Sequence, residues 1–240
     1  DWDNICTRLI NPEARYHYCS EILRKSFYDG SRWNMDECDS HTIFVSQGYY
    51  PIKGLHYMLE ALGDIRKFYP DARLRVAGGV SLNNAGLKNR LKQKNYQRYL
   101  AELIEKYSLA GCVEFLPPLK ADEMKKMYLK SNVFVSPSSI ENSPNSLGEA
   151  MMLGVPCVSS LVGGVGNMLI NGAEGFTYQH DAPYMLAYYV MEIFRLQKEN
   201  RQQLADMTDM AHSHAMRLFD SEKNAANMLE IYSGIERIKR

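Results

Sequence analysis

Two glutamates eight positions apart, Glu141 and Glu149, flank the run Ser136-Pro-Ser-Ser-Ile-Glu-Asn-Ser-Pro-Asn-Ser-Leu-Gly-Glu-Ala-Met-Met-Leu-Gly-Val-Pro156. The run reads as a strand leaving a sheet, a polar loop and the start of a helix. In an open α/β sheet, ligands bind outside the carboxyl ends of the strands, so these carboxylates belong where a small polar molecule would lie. The new helix presents unpaired N–H groups beside a partial positive charge, which is an anion site. Carboxylates for hydroxyls next to amides for phosphate suit a sugar nucleotide. Ser143 before Pro144 fits an N-cap with proline at the first helical position, and Asn145 is a rival cap. With either cap the amides of Asn145, Ser146 and Leu147 are free or nearly so. Gly148 lets a ligand approach the backbone. Glu149 gains about 0.3–1 kcal/mol from the helix dipole if exposed. The plainer alternative is that both acids only solvate a helix start.

A second candidate is Gln47-Gly48-Tyr-Tyr-Pro-Ile-Lys53-Gly54, at the end of the first strand. Gly48 permits close backbone approach, and Lys53, just before a helix, can reach an anion held at the same sheet edge. Alone, such a lysine is usually a solvated side chain; the Glu141 turn on the same edge gives it weight. Gly163-Gly-Val-Gly166-Asn167 matches neither a dinucleotide fingerprint nor a Walker loop and reads as a tight turn. Asp1 and Asp3 form an acid pair at a chain end, a poor metal site. His212 and His214, two apart on a helical pattern, point to different faces and do not share a metal. Lys88, Arg90, Lys92, Lys94 and Arg98 make a basic run. It reads as a solvated face, with a peripheral contact to anionic lipid or a phosphorylated acceptor as the other reading.

Strands alternating with helices must position these groups. Strand patterns fall at 41–47, 72–79, 112–116, 132–136, 156–161 and 175–178. Helical patterns fall at 55–68, 96–107, 121–130, 146–153, 182–198, 200–217 and 221–239. In the first helix, apolar residues recur at 55, 58, 59, 62, 65 and 68, and Pro70 stops it. The alternation implies right-handed crossovers and a doubly wound, Rossmann-like parallel sheet with helices on both faces. Residues 1–40 do not join it, although Trp2, Tyr16, Tyr18, Phe27, Tyr28 and Trp33 are many aromatics for a leader. They are either an extension packed on the sheet domain or a hinge from an upstream domain.

At 240 residues, with 28 basic and 28 acidic side chains, the chain can bury a large core and carries no field that recruits nucleic acid. No apolar run approaches the ~18 residues of a spanning helix. The five cysteines lack CxxC spacing, which fits a reducing, cytoplasmic setting.

The chain resembles the C-terminal, donor-binding half of a GT-B-fold glycosyltransferase of family 4, the group 1 glycosyl transferases, from about His41 to about Phe194. The E-x7-E motif is met by Glu141 and Glu149. Lys53-Gly54, Val76-Ala-Gly-Gly79, Val113-Glu-Phe-Leu116 and Gly154-Val-Pro-Cys-Val-Ser-Ser160 follow in the family's order. The resemblance implies a retaining, metal-independent transfer from a nucleotide-sugar, UDP- or GDP-linked, to a glycan or lipid-linked acceptor. Glu141 would contact the donor sugar, and Glu149 the ribose. Lys53 and the amides of Asn145, Ser146 and Leu147 would hold the diphosphate. Leu116 to Leu119 would lie by the base, with Gly48 and Asn142 lining the same site. Glu141 and Lys53 would carry the catalysis. Two positions depart from the family: Gln47-Gly48 stands for Gly-Arg, removing a second cation, and Asn167 stands near a usual glutamate. The resemblance also implies a missing N-terminal acceptor domain, with 1–40 as its linker, 41–218 as the donor domain and 219–240 as a returning helix. An epimerase of the same architecture and a non-catalytic nucleotide-binding domain are the alternatives.

Overall fold

The computed structural model describes residues 2–79 and 95–238. Among the described residues six short strands form one sheet: β1 Thr42–Val45, β2 Arg73–Val76, β3 Val113–Phe115, β4 Val133–Ser136, β5 Cys157–Ser160 and β6 Phe176–Tyr178. Every pairing is parallel, and the order is β3-β2-β1-β4-β5-β6. Strands β1, β4 and β5 are buried at every residue, as strands covered on both faces must be. Toward one edge, Arg73 of β2 and Glu114 of β3 reach solvent.

The helices are α1 Trp2–Ile10, α2 Leu55–Phe68, α3 Asn95–Lys106, α4 Ala121–Leu129, α5 Asn145–Leu153, α6 Pro183–Glu199, α7 Arg201–Leu218 and α8 Ser221–Ile238. Helix α2 has the bounds its periodicity predicts: of the six periodic apolar residues, Leu55, Met58, Leu59, Leu62 and Ile65 are buried and the terminal Phe68 is exposed. It packs on α3 and α6, whereas α5 packs on α4 and α7. The two sets cover opposite faces, so the sheet is doubly wound as expected. Because the chain turns to opposite sides after β1 and β4, these neighbouring strands open a crevice between their carboxyl ends.

Residues 2–40 hold no strand but are sewn to the domain. Helix α1 was not foreseen, since its apolar face stays largely exposed at Ile5, Leu9 and Ile10. Farther on, Leu23, Phe27 and Trp33 enter the main core. Phe27 meets the buried Tyr128 ring edge-on at 6.0 Å, and Tyr128 packs on Phe44 of β1 at 5.0 Å and Phe134 of β4 at 5.1 Å. The Tyr28 hydroxyl accepts from the Leu23 N–H at 3.0 Å and donates to the Phe219 carbonyl at 2.7 Å. Helix α8 packs against the same segment, the Asn224 and Asn227 amides donating to the carbonyls of Glu21 and Tyr18. Residues 18–33 are thus packed on the sheet domain. All five cysteines are free, and burial pushes the Cys157 thiol well up, as for a core hydrophobe.

Candidate functional site

The crevice between β1 and β4 is walled by two loops that glycines bring together. Lys53 ends a 3-10 turn, Pro51–Lys53, after β1. Gly54 follows with φ +68°, and a Cβ there would lie 1.7 Å from the Pro137 carbonyl oxygen, so only glycine allows this approach. The Ser139 N–H then donates to the Ile52 carbonyl at 2.8 Å. The outcome is an ion pair between Lys53 Nζ and Glu141 Oε1 at 2.6 Å. Ser138 Oγ donates to the same Oε1 at 2.6 Å. Among the described residues Oε2 has no hydrogen-bond partner and stays open to a ligand. Behind this loop, a Cβ on Gly163 (φ +52°) would lie 1.6 Å from the Glu141 carbonyl oxygen, and one on Gly164 2.0 Å from that of Asn142. The glycine turn thus admits protein backbone, and its effect on the site is to seat Glu141. The buried Ser160 hydroxyl donates to the Ser138 carbonyl at 2.5 Å, fixing the same loop from β5.

The other glutamate has a different setting. Glu149 is only 4% exposed. Arg24 grips it with both arms of its fork, Nε to Oε1 at 2.6 Å and Nη2 to Oε2 at 2.7 Å. Tyr128 Oη lies 3.5 Å from Oε2 and donates to the Ser146 carbonyl at 3.0 Å. Burial and the nearby carboxylate push the Tyr128 pKa well up, so its proton stays available to donate. Sequence reasoning missed Arg24. Its one signal was the apolar residues on either side of it, Leu23 and Phe27, which mark a segment docked on the core.

At the tip of α5 the expected cap is corrected. Pro144 occupies the cap position, and neither Ser143 nor Asn145 caps with its side chain. Leu147 and Gly148 donate their N–H groups to the Pro144 carbonyl, at 2.9 and 3.2 Å. Leu147 is therefore not a free amide, because the first turn tightens onto Pro144. The N–H groups of Asn145 and Ser146 find no acceptor among the described residues. Gly148 is corrected too: a Cβ there would lie 2.5 Å from the Phe219 ring, so the missing side chain admits core, not ligand. Gly48 is buried, and its Cβ would meet Leu55 and Val76 at 2.6 and 2.7 Å, again a packing demand.

A cleft of about 430 Å³ joins these parts, lined by Arg24, Lys53, Glu141, Asn145 and Ser146, with Gln47 at the β1 exit and Leu119 and Met124 at the far side. Leu119 lies on it. Leu116 does not; it packs against the hydrophobic core, and its N–H and carbonyl bond Val76 and Gly79 just beyond the strands. Asn142 faces a neighbouring cleft shared with Gly164 and Met168. A larger cleft, about 600 Å³, lies beside α7, where Arg32 and Arg201 are paired with Asp209 and Asp36. Both guanidiniums there are spent on carboxylates, and Glu37 adds a third acid to the lining, so among the described residues the cleft offers no free cation for a phosphate. His212 bonds the Met152 carbonyl and His214 bonds Glu174, on separate partners as their spacing implied. No group of three or more potential metal-ligating side chains is found among the described residues, nor a helix long and apolar enough to cross a membrane. Of the basic run, Lys88, Arg90, Lys92 and Lys94 lie outside the described residues.

Comparison with known proteins adds a family to this geometry. The family described as "Glycosyl transferases group 1" matches residues 33–208. D-inositol 3-phosphate glycosyltransferase of Corynebacterium urealyticum is 28% identical over 186 residues, which cover 77% of this chain and 41% of that protein. The chain thus spans less than half the length of that relative. Among solved structures, sucrose-phosphate synthase of Thermosynechococcus elongatus superposes with a TM-score of 0.76 at 18% identity, over 98% of this chain and 56% of that one. The Anabaena protein Alr3699/HepE in complex with UDP-glucose gives 0.65 at 21% identity, over 82% and 49%.

Proposed function

The chain belongs to the group 1 glycosyl transferases, and from that premise we propose that it is the donor-binding half of a retaining, metal-independent enzyme. It would take a sugar from a nucleotide-sugar and pass it to a glycan or lipid-linked acceptor held by an N-terminal domain of the full-length protein. One observation carries the reading: Lys53 and Glu141 meet at 2.6 Å across the crevice, in one cleft with the open amides of Asn145 and Ser146. The solved relative that holds UDP-glucose supports the class of donor.

The chemistry follows from where charge grows. As the bond from the sugar's C1 to the diphosphate oxygen breaks, negative charge collects on the leaving phosphate and positive charge on the sugar ring. Lys53 and the two amides face the first, and Glu141, through its open oxygen, faces the hydroxyls and charge of the second. In this reading the lysine and helix tip do what a divalent ion does elsewhere, and the bound diphosphate takes over the ammonium from Glu141. Retention at C1 rests on the family resemblance.

Calorimetric titration of the chain with UDP, GDP and ADP tests this. One of them binds, and Lys53→Ala weakens it by about 10–100-fold, the loss of a charge-assisted contact. Failure of all three to bind overturns the reading. The chain alone transfers sugar poorly, while the full-length protein transfers it with retention, read as the anomer first formed by NMR.

A further inference from the structure

We propose that Arg24 is the second cation that meets the donor diphosphate, and that Glu149 is a positioning residue acting through it. The proposal deepens the donor-site reading above and rests on it. The β1 exit offers Gln47-Gly48 and no cation beyond Lys53. The opposite wall offers one: Arg24 lines the cleft, with its side chain 41% exposed. Its Nε–H and one Nη2–H are spent on Glu149. Three of the five guanidinium N–H donors therefore remain for a ligand.

Glu149 itself is poorly placed to meet a ligand. It is 4% exposed, each of its oxygens already accepts from Arg24, and it is not among the residues lining the cleft. A desolvated carboxylate gripped by a bidentate guanidinium fixes that guanidinium in place. Arg24 is held from its own side as well. Its neighbour Leu23 and the nearby Phe27 are buried in the core, and its guanidinium stands 5.1 Å from the Phe27 ring centroid. Lys125 donates to the Ser26 carbonyl at 3.1 Å, tying the following turn to α4. A planar fork set rigidly at one side of an anion site suits two phosphate oxygens.

The test uses the whole chain and two probes: UDP, or whichever of GDP and ADP binds best, and inorganic pyrophosphate as its competitor, which has the diphosphate and no ribose. Arg24→Gln is expected to weaken both probes by a common factor of about 10-fold or more. Glu149→Gln is expected to weaken pyrophosphate too, and to add nothing in the Arg24→Gln background. The double variant replaces the ion pair by two neutral amides, so it keeps the test alive if a single variant fails to fold by circular dichroism. Unchanged pyrophosphate affinity in Arg24→Gln overturns the proposal. So does a Glu149→Gln loss confined to the nucleotide, which would put that acid on the ribose, and so does failure of pyrophosphate to displace nucleotide from the unaltered chain. An unaltered chain that binds no nucleotide overturns the donor reading itself, a separate result.

Discussion

Two ion pairs at the cleft wall, each closing at 2.6 Å, differ in burial and in what their carboxylates can still accept. Lys53–Glu141 joins two loops at a sheet edge, with side chains 24% and 12% exposed and one carboxylate oxygen open. Arg24–Glu149 joins the N-terminal segment to the second turn of α5, with the carboxylate 5% exposed and both oxygens used. The first pair can open, because water or a phosphate can replace either partner. The second cannot open without stranding a charge in the core. A motif of two glutamates therefore conceals a division: one acid is available to a ligand, and the other is part of the frame.

Breaking the buried pair should cost most. Arg24→Ala is expected to lower stability by about 2–4 kcal/mol in urea unfolding, less than a fully buried pair because water reaches the guanidinium. Adding Glu149→Gln should recover over half of that. A loss below about 1 kcal/mol would make the pair equivalent to a surface bridge and erase the contrast. Next, Gly148→Ala pushes a methyl onto the Phe219 ring from a Cβ 2.5 Å away. It should cost about 1–3 kcal/mol, read as a lower melting temperature. Lys53→Met should leave stability within about 1 kcal/mol of the unaltered chain. Its effect belongs to nucleotide affinity, so a large unfolding shift would show that this pair too is structural. The smallest effect is Ser138→Ala, which removes one of the two donors to Glu141 Oε1. About 0.5–1.5 kcal/mol of that carboxylate's restraint goes, measurable as a modest loss of nucleotide affinity at unchanged fold.

The contrast also explains what could be read in advance. Lys53 and Glu141 each follow a strand with a clear apolar pattern, and parallel strands put such loops on one edge, so their meeting was foreseeable. The α5 start was foreseeable to within a residue, but the cap was not, since proline, serine and asparagine all compete there and carbonyl geometry decides. Gly48 and Gly148 looked like openings for a ligand because a missing side chain reads the same in sequence whether ligand or core fills the gap. Arg24 left little trace. It lies in an aperiodic segment, and its partner is 125 positions away.

Local periodicity and turn chemistry determined the sheet, its helices and the edge on which the acids stand, because a strand or amphipathic helix is written in neighbouring residues. Tertiary structure alone decided which glutamate is open and which is gripped. That choice depends on Phe27 reaching Tyr128 and Phe219 filling the space beside Gly148. Burial and pairing are properties of the assembled core, and no spacing within the motif encodes them.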